Sequence, residues 1–439
     1  MKILITQADS WLNKGDAAIV ISMAKALKEE FSDATITIST IFPPQEIDII
    51  SYGKYGIKVV PPIFQTVLSL MSKFKSIKKF RIILIAMLLL SFLFSISRYT
   101  LWLLLYNKLK MDIEFLIRDI KDVIQEYKSA DLILSCGGEH IVHEGGLPFG
   151  LLRALYEIAF GIYLGKPVML YAQSIGPFKG RYCKPLVRWV LNRVDLITLR
   201  ERISKTYLDD LGIATPTFVT ADAAFTLPPI SQEEAEKLIE HNIGSLGDKV
   251  LVGITVRYWN SPNFDRYLEI IAHVADYMIT ELNAYVIFFC HNTNPLDDDR
   301  PVTEEVFSKI KQKQRVKILE GYSPEQLKGM YGCMDIFIGT RMHSCILALS
   351  MVIPTIVIGY RHKAQGIMKM LGLDFYVCDI NTLTLDELKY KVDKLWLERE
   401  KIKKILKERI REIQTRSMEN LNLITNIVER GEGYEQSNK

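Results

Sequence analysis

The sequence predicts an α/β protein built as two doubly wound domains that face each other across a cleft. Short apolar runs alternate with helical patterns almost throughout, the signature of parallel sheets. The alternation breaks at Leu227-Pro228-Pro229-Ile230-Ser231 and begins again at Lys249. Polar and charged residues collect directly after the apolar runs, where open sheets of this kind bind ligands. A length of 439 residues gives each domain room for its own core.

The elements follow in order. In the first half, residues 2–7, 35–40, 57–60, 131–135, 167–172, 195–199 and 217–220 read as strands. Helices are expected near 15–31, 63–128 (interrupted by an apolar segment), 149–164, 181–193 and 202–212. Residues 227–248 read as a linker carrying an acidic helix, Gln232 to His241. The second set of strands falls near 249–256, 284–290, 315–319, 335–338, 354–358 and 375–378. Its helices fall near 263–283, 302–313, 323–332, 342–352, 363–371 and 384–430. The expected domains are therefore 1–226 and 249–439, with frayed residues from Gly431 onward.

Composition narrows the class. Hydrophobic residues make up 49%, charged residues 24%, and the net charge is +4, which is ordinary globular chemistry and not that of a nucleic-acid binder. Six cysteines are scattered with no Cys-x-x-Cys pair, so a reducing cytoplasm is expected, with neither a disulfide framework nor a zinc site. Met1 to Thr6 reads as a first strand, since no apolar run or cleavage site of a signal peptide follows.

One segment departs from that pattern. Ile82 to Ser97 carries no charge, and Leu101 to Tyr106 continues it after Arg98. Lys73, Lys75, Lys78, Lys79 and Arg81 precede it; Lys108 and Lys110 follow. The run is short of the roughly 20 residues of a spanning helix, and basic flanks with Trp and Tyr suit a helix lying on or dipping into a membrane surface. A single crossing would put residues 1–75 and 110–439 on opposite sides and split the first sheet. The expectation is an anchor at about 63–110 on the cytoplasmic membrane surface. The other reading is a buried core helix or the interface of a homo-oligomer.

Candidate chemistry sits at the strand ends. Asp335 to Ser344 (DIFIGTRMHS) reads as a strand, a glycine turn and a helix opening beside Arg341 and His343. A helix amino end favours an anion, arginine adds a planar fork, and histidine carries a proton near neutral pH. A capping Thr340, a surface Arg341 and a core His343 would explain the stretch as plainly. Gly15 and Asp16 open the first helix; Asp16 caps it or binds a hydroxyl. Gly138, Glu139 and His140 follow another strand; Gln173 and Ser174, Arg200, and Asp222 follow three more. In the second half Arg257 ends a strand and Lys363 opens a helix, while His291 is either a cleft or a surface residue. The His and Glu spacing near 139–144 does not fit a metal site.

As an ordered set, GDAA (15–18), CGGEH (136–140), AQSIGP (172–177), LRE (199–201), DAAF (222–225), GITVR (253–257), GTRMHS (339–344) and GYRHK (359–363) resemble the polysaccharide pyruvyl transferase family. The resemblance covers most of the chain apart from the apolar insertion and the last helix. It implies two Rossmann-like domains arranged as in GT-B glycosyltransferases, and transfer of pyruvate from phosphoenolpyruvate to a sugar as a ketal. The family's Arg-x-His falls on Arg341 and His343, with His343 the proton carrier. Where the family shows three glycines, this chain has Gly137-Gly138-Glu139, a departure that concerns the acceptor.

That chemistry needs a general acid, His343; cationic clamps for phosphate and carboxylate, Arg341, Arg257, Arg200 and Lys363; and a base for the sugar hydroxyls, Asp16 or Glu139. Gly15, Gly138, Glu139, His140, Gln173, Ser174 and Asp222 are expected on the acceptor side. Phosphoenolpyruvate is a co-substrate and no further cofactor or metal is demanded. The expected partners are this small-molecule donor and a saccharide or lipid-linked saccharide acceptor at the inner face of the membrane. A GT-B glycosyltransferase using a nucleotide sugar is the alternative; residues 342–352 lack the glutamate such enzymes usually carry there, which favours pyruvyl transfer.

Overall fold

A computed structural model describes residues 1–65, 86–180, 182–359 and 363–429, together with the backbone of residues 81–85, 362 and 430–436. Lys73, Lys75, Lys78 and Lys79 of the expected basic flank, and Tyr360 and Arg361 of the GYRHK motif, lie outside the described residues. The first sheet contains β1 (Lys2–Ala8), β2 (Thr35–Thr40), β3 (Ile57–Val60), β4 (Leu132–Ser135), β6 (Val168–Phe178), β7 (Leu196–Leu199) and β8 (Thr217–Val219), in the order β3-β2-β1-β4-β6-β7-β8. An eighth strand, β5 (Gly138–His143), lies off that path and pairs with the far half of β6. The second sheet has the order β11-β10-β9-β12-β13-β14, from β9 (Val250–Thr255), β10 (Ala284–Phe289), β11 (Val316–Leu319), β12 (Ile336–Gly339), β13 (Thr355–Gly359) and β14 (Val377–Asp379). All these pairings are parallel, and the strand order reverses beside β1 and beside β9. Such switch points are where doubly wound sheets hold ligands.

The helices that matter to the site are α1 (Lys14–Glu30), α2 (Glu46–Gly53), α5 (Phe149–Tyr163), α7 (Arg202–Asp210), α11 (Pro324–Gly332), α12 (Met342–Ser350) and α13 (His362–Met370). Two elements differ from the sequence expectation. No strand is expected over residues 138–143, where Gly138-Glu139-His140 is polar; β5 extends there because β6 runs on past its expected end and offers a partner edge. No helix is expected between the strands at 35–40 and 57–60; a capping box between Gln45 and Asp48 starts α2 there.

The last helix, α14 (Leu385–Gln436), belongs to both domains, although the sequence assigned it to the second. Its first half buries Leu388, Val392 and Leu395. Its second half reaches the first domain: Asn420 Oδ1 accepts from Thr220 Oγ1 at 3.0 Å, and Arg416 donates to the carbonyls of Val219 and Thr220 at 3.1 Å. An amphipathic pattern shows that a helix has a buried face and not which core buries it.

The apolar segment forms α3 (Arg81–Leu109). One face is buried through Phe92, Tyr99, Trp102 and Leu103, while Met87, Leu90, Leu93, Phe94, Leu101 and Leu104 are 47–67% exposed. β1 precedes this helix, β4 follows it, and the two strands are neighbours in one sheet. A single membrane crossing by α3 is therefore incompatible with the fold. Between α3, α5 and α6 (Cys183–Leu191) lies an apolar groove of about 380 Å³, walled by Leu103, Leu155, Phe160 and Trp189.

Candidate active site

The loops after β1 and β10 interlock. Asn13 and Asn292 form an antiparallel bridge; Lys14 N–H donates to the His291 carbonyl at 3.1 Å, and Thr293 N–H to Leu12 at 3.0 Å. The amino ends of α1 and α12 thereby meet. A side chain at Gly15 would overlap the His343 ring, so only glycine permits this approach. Asp222 follows β8 and Arg200 follows β7; Asp16 lies in the first turn of α1, and His343 in that of α12. The cleft thus gathers residues from five strand ends.

His343 is at the centre. Its Nδ1 lies 3.7 Å from Asp16 Oδ1, and its Nε2 lies 3.6 Å from Asp222 Oδ2 and 3.2 Å from Arg200 Nη1. A carboxylate of the first domain thus faces each ring nitrogen of a histidine from the second. Asp222 is fully buried, which alone would raise its carboxyl; Arg200 at 2.6 Å and His343 outweigh that and hold it well below the usual carboxylate range. Arg200 is itself buried, gripped by Asp222 and by Ser174 Oγ at 2.8 Å.

The other expected clamps are also charge-paired. Arg341 donates to Asp299 from Nε at 2.9 Å and to Asp297 from Nη1 at 2.5 Å. Burial opposes ionisation of both aspartates: it prevails at Asp299, whose carboxyl is raised, while Arg341 and Arg257 prevail at the more exposed Asp297, which is lowered. Asp299 Oδ2 also accepts the Asn292 N–H at 2.9 Å, so Arg341 holds the loop that bridges Asn13. Arg257 Nη2 lies 3.2 Å from Asp297, and Lys363 spans the cleft to Glu139 at 3.0 Å.

The expected acceptor residues divide into a front and a back. Asp16 and Glu139 face the second domain, at His343 and Lys363. Gln173 is fully buried and donates to Ser135 Oγ at 2.6 Å and the Cys136 carbonyl at 2.9 Å; Ser174 is buried behind Arg200. Gly138 has φ +146°, and a Cβ there would meet His140. Burial lowers His140 to about 4, so its ring is neutral. His291 is buried and held neutral by burial and by nearby cations, with Nδ1 3.1 Å from the Tyr331 hydroxyl.

Sequence reading passed over Asp9, Asn13, Lys14 and the Asp297/Asp299 pair. Lys14 is 5% exposed, lowered to about 8 by burial, and its ammonium lies 4.8 Å from the Trp11 ring centre. The run Asp297-Asp298-Asp299 was visible as an acidic cluster, but nothing in the sequence joined it to Arg341. Among the described residues, no group of three or more His, Cys, Asp or Glu is arranged to hold a metal ion.

Fold and site together define a GT-B-like α/β protein with a histidine set between two opposed sheets. The chain belongs to the polysaccharide pyruvyl transferase family, whose sequence model matches residues 13–362, and it is a transferase. It is 23% identical over 399 residues to the amylovoran biosynthesis protein AmsJ of Erwinia amylovora, covering 87% of this chain and 89% of that protein. Among solved structures, Anabaena Alr3699/HepE in complex with UDP and glucose superposes with a TM-score of 0.59 at 14% identity, over 98% of this chain and 100% of that one. S. aureus MnaA with UDP gives 0.59 at 14%, over 98% and 97%. At these identities the structural likeness shows the fold.

Proposed function

We propose that this chain transfers the enolpyruvyl group of phosphoenolpyruvate to two hydroxyls of a sugar, forming a pyruvate ketal on an exopolysaccharide unit or its lipid-linked precursor. The observation that carries this reading is His343, set between Asp16 and Asp222 at the meeting of the two domains. Protonation of the donor methylene makes the central carbon electrophilic; a sugar hydroxyl attacks it, phosphate departs, and a second hydroxyl closes the ketal. His343 supplies the methylene proton as general acid.

The cleft cations are matched by carboxylates, so donor binding exchanges partners. Lys363, at 12% side-chain exposure, leaves Glu139 for the donor and frees that carboxylate toward the acceptor. Arg341 and Arg200 are buried and grip Asp299 and Asp222; in this reading they shape the cleft and set its field. The exposed apolar face of α3, with Lys108 and Lys110 at its end, supports a helix lying on the inner membrane surface beside a lipid-linked acceptor.

Titration of purified protein with phosphoenolpyruvate, beside UDP- and GDP-sugars, tests the donor. A ligand that binds the native state raises the melting temperature by mass action. Stabilisation by phosphoenolpyruvate alone is the expected result. Stabilisation by a nucleotide sugar alone would overturn it and favour the glycosyltransferase reading, which the UDP-bound structural neighbours keep in view.

A further inference from the structure

Ketal formation has a fixed proton balance. Two O–H bonds of the acceptor break as two C–O bonds form; one proton ends on the donor methylene, making a methyl group, and one on the departing phosphate. No oxidant or reductant enters. The site must therefore accept a hydroxyl proton as well as give one. A lone aspartate with an ordinary carboxyl is a poor base for a hydroxyl at neutral pH.

Asp16 is not alone. The side-chain amide of Asn13, at the amino end of α1, donates to Asp16 Oδ2 at 2.5 Å and to Asp9 Oδ2 at 2.8 Å. One amide thus clasps two carboxylates side by side, and Asp16 Oδ1 is the oxygen turned toward His343 Nδ1 at 3.7 Å. Asp9 is fixed by its own loop, with Oδ1 accepting the Ser10 N–H at 2.7 Å, and by α2, whose Tyr52 hydroxyl donates to the Asp9 carbonyl at 3.1 Å.

We propose that Asp9 is a positioning residue that, paired with Asp16 through Asn13, makes Asp16 the base for the first sugar hydroxyl and returns that proton to His343. This rests on the pyruvyl-transfer reading above. Two carboxylates in contact resist carrying two charges, so the pair takes up a proton more readily than either alone. Burial and the Asp16 charge push the Asp9 carboxyl up to about 7. The surrounding titratable groups are Asp48 and Tyr52 on α2, Lys14 on α1, Cys136 after β4, His140 on β5, and His343 beyond Asp16. The Lys14 ammonium lies over Trp11, in the field of Asp48.

In this cycle Asp16 takes the proton of the attacking hydroxyl while His343 gives its proton to the methylene carbon. The pair then recharges His343 across the 3.7 Å contact, and the second hydroxyl's proton leaves on phosphate. Nothing in the cycle requires Asp9 to touch substrate.

The test compares wild type, Asp9→Asn and Asn13→Ala by pH–rate profile and by infrared titration of protonated carboxyl. Asp9→Asn keeps an acceptor for the Asn13 amide but removes the second charge. The acid limb of kcat/KM should move down by about one pH unit or more and kcat should fall at least about tenfold, with KM for phosphoenolpyruvate within about twofold. Asn13→Ala removes the donor that stabilises both charges and should move the limb the opposite way, upward. Wild-type protein should show a carboxyl band that titrates near neutral pH and is lost in Asp9→Asn. An unshifted profile, or no such band in folded wild type, overturns the proposal. Failure of wild type to use phosphoenolpyruvate while the band is present would sink the pyruvyl-transfer reading and leave the carboxyl pair standing.

Discussion

In the cleft, Arg200, Arg257, Arg341 and Lys363 each meet a carboxylate; on the outer face of α3, large apolar side chains including Leu90, Leu93 and Phe94 lie 56–67% exposed. The two regions differ in what a sequence motif can promise. In the cleft, residue type at a strand end marked the right place, but the cations proved to be matched by aspartates and a glutamate brought in by the fold. On α3, uninterrupted apolar character described the surface directly, because an exposed side chain needs no partner to define it. Polar chemistry is pairwise, whereas apolar exposure belongs to single residues.

The largest effect expected from breaking this contrast is at His343. His343→Ala should lose about 10²–10⁴-fold in turnover and keep phosphoenolpyruvate binding by calorimetry; unchanged turnover would remove it from the chemistry. Next comes Arg341→Ala, which leaves Asp299 buried without its cation. It should destabilise the protein by about 3–5 kcal/mol in denaturant unfolding, even though Arg341 lies two residues from His343. A loss of activity with stability intact would instead make Arg341 a donor clamp.

The smallest expected effect on stability lies on α3. Leu93→Glu with Phe94→Glu should change unfolding free energy by about 0.5 kcal/mol or less each, since both are exposed, yet abolish binding to anionic vesicles. Leu103→Ala, on the buried face, should cost about 2–5 kcal/mol. Vesicle binding that survives the two glutamates would detach the membrane reading from this face.

Much of the architecture was legible because a period-2 or period-3.6 apolar pattern is a local property. The strands around β1, β4, β9 and β12 and the helices opening at Gly15 and His343 could be read this way. The sequence could not foretell β5, whose polar residues extend only because β6 offers an edge, nor the return of α14 to the first domain. At the site, Gly15, Asp16 and His343 were found because each follows an apolar strand, and the fold brings all three together. Gln173 and Ser174 were also found, but they lie behind the cleft, since a strand end has two sides and spacing does not say which one faces it.

By itself the sequence determined the alternation of elements, the family motifs and the apolar character of residues 82–106, all of which depend on neighbours along the chain. Tertiary structure alone decided which charges meet: Arg341 with Asp299, 42 residues earlier, Lys363 with Glu139 across 224, and Asp9 with Asp16 through Asn13. Electrostatic partners are chosen by distance in space and by burial, and neither is defined until the chain has closed on itself.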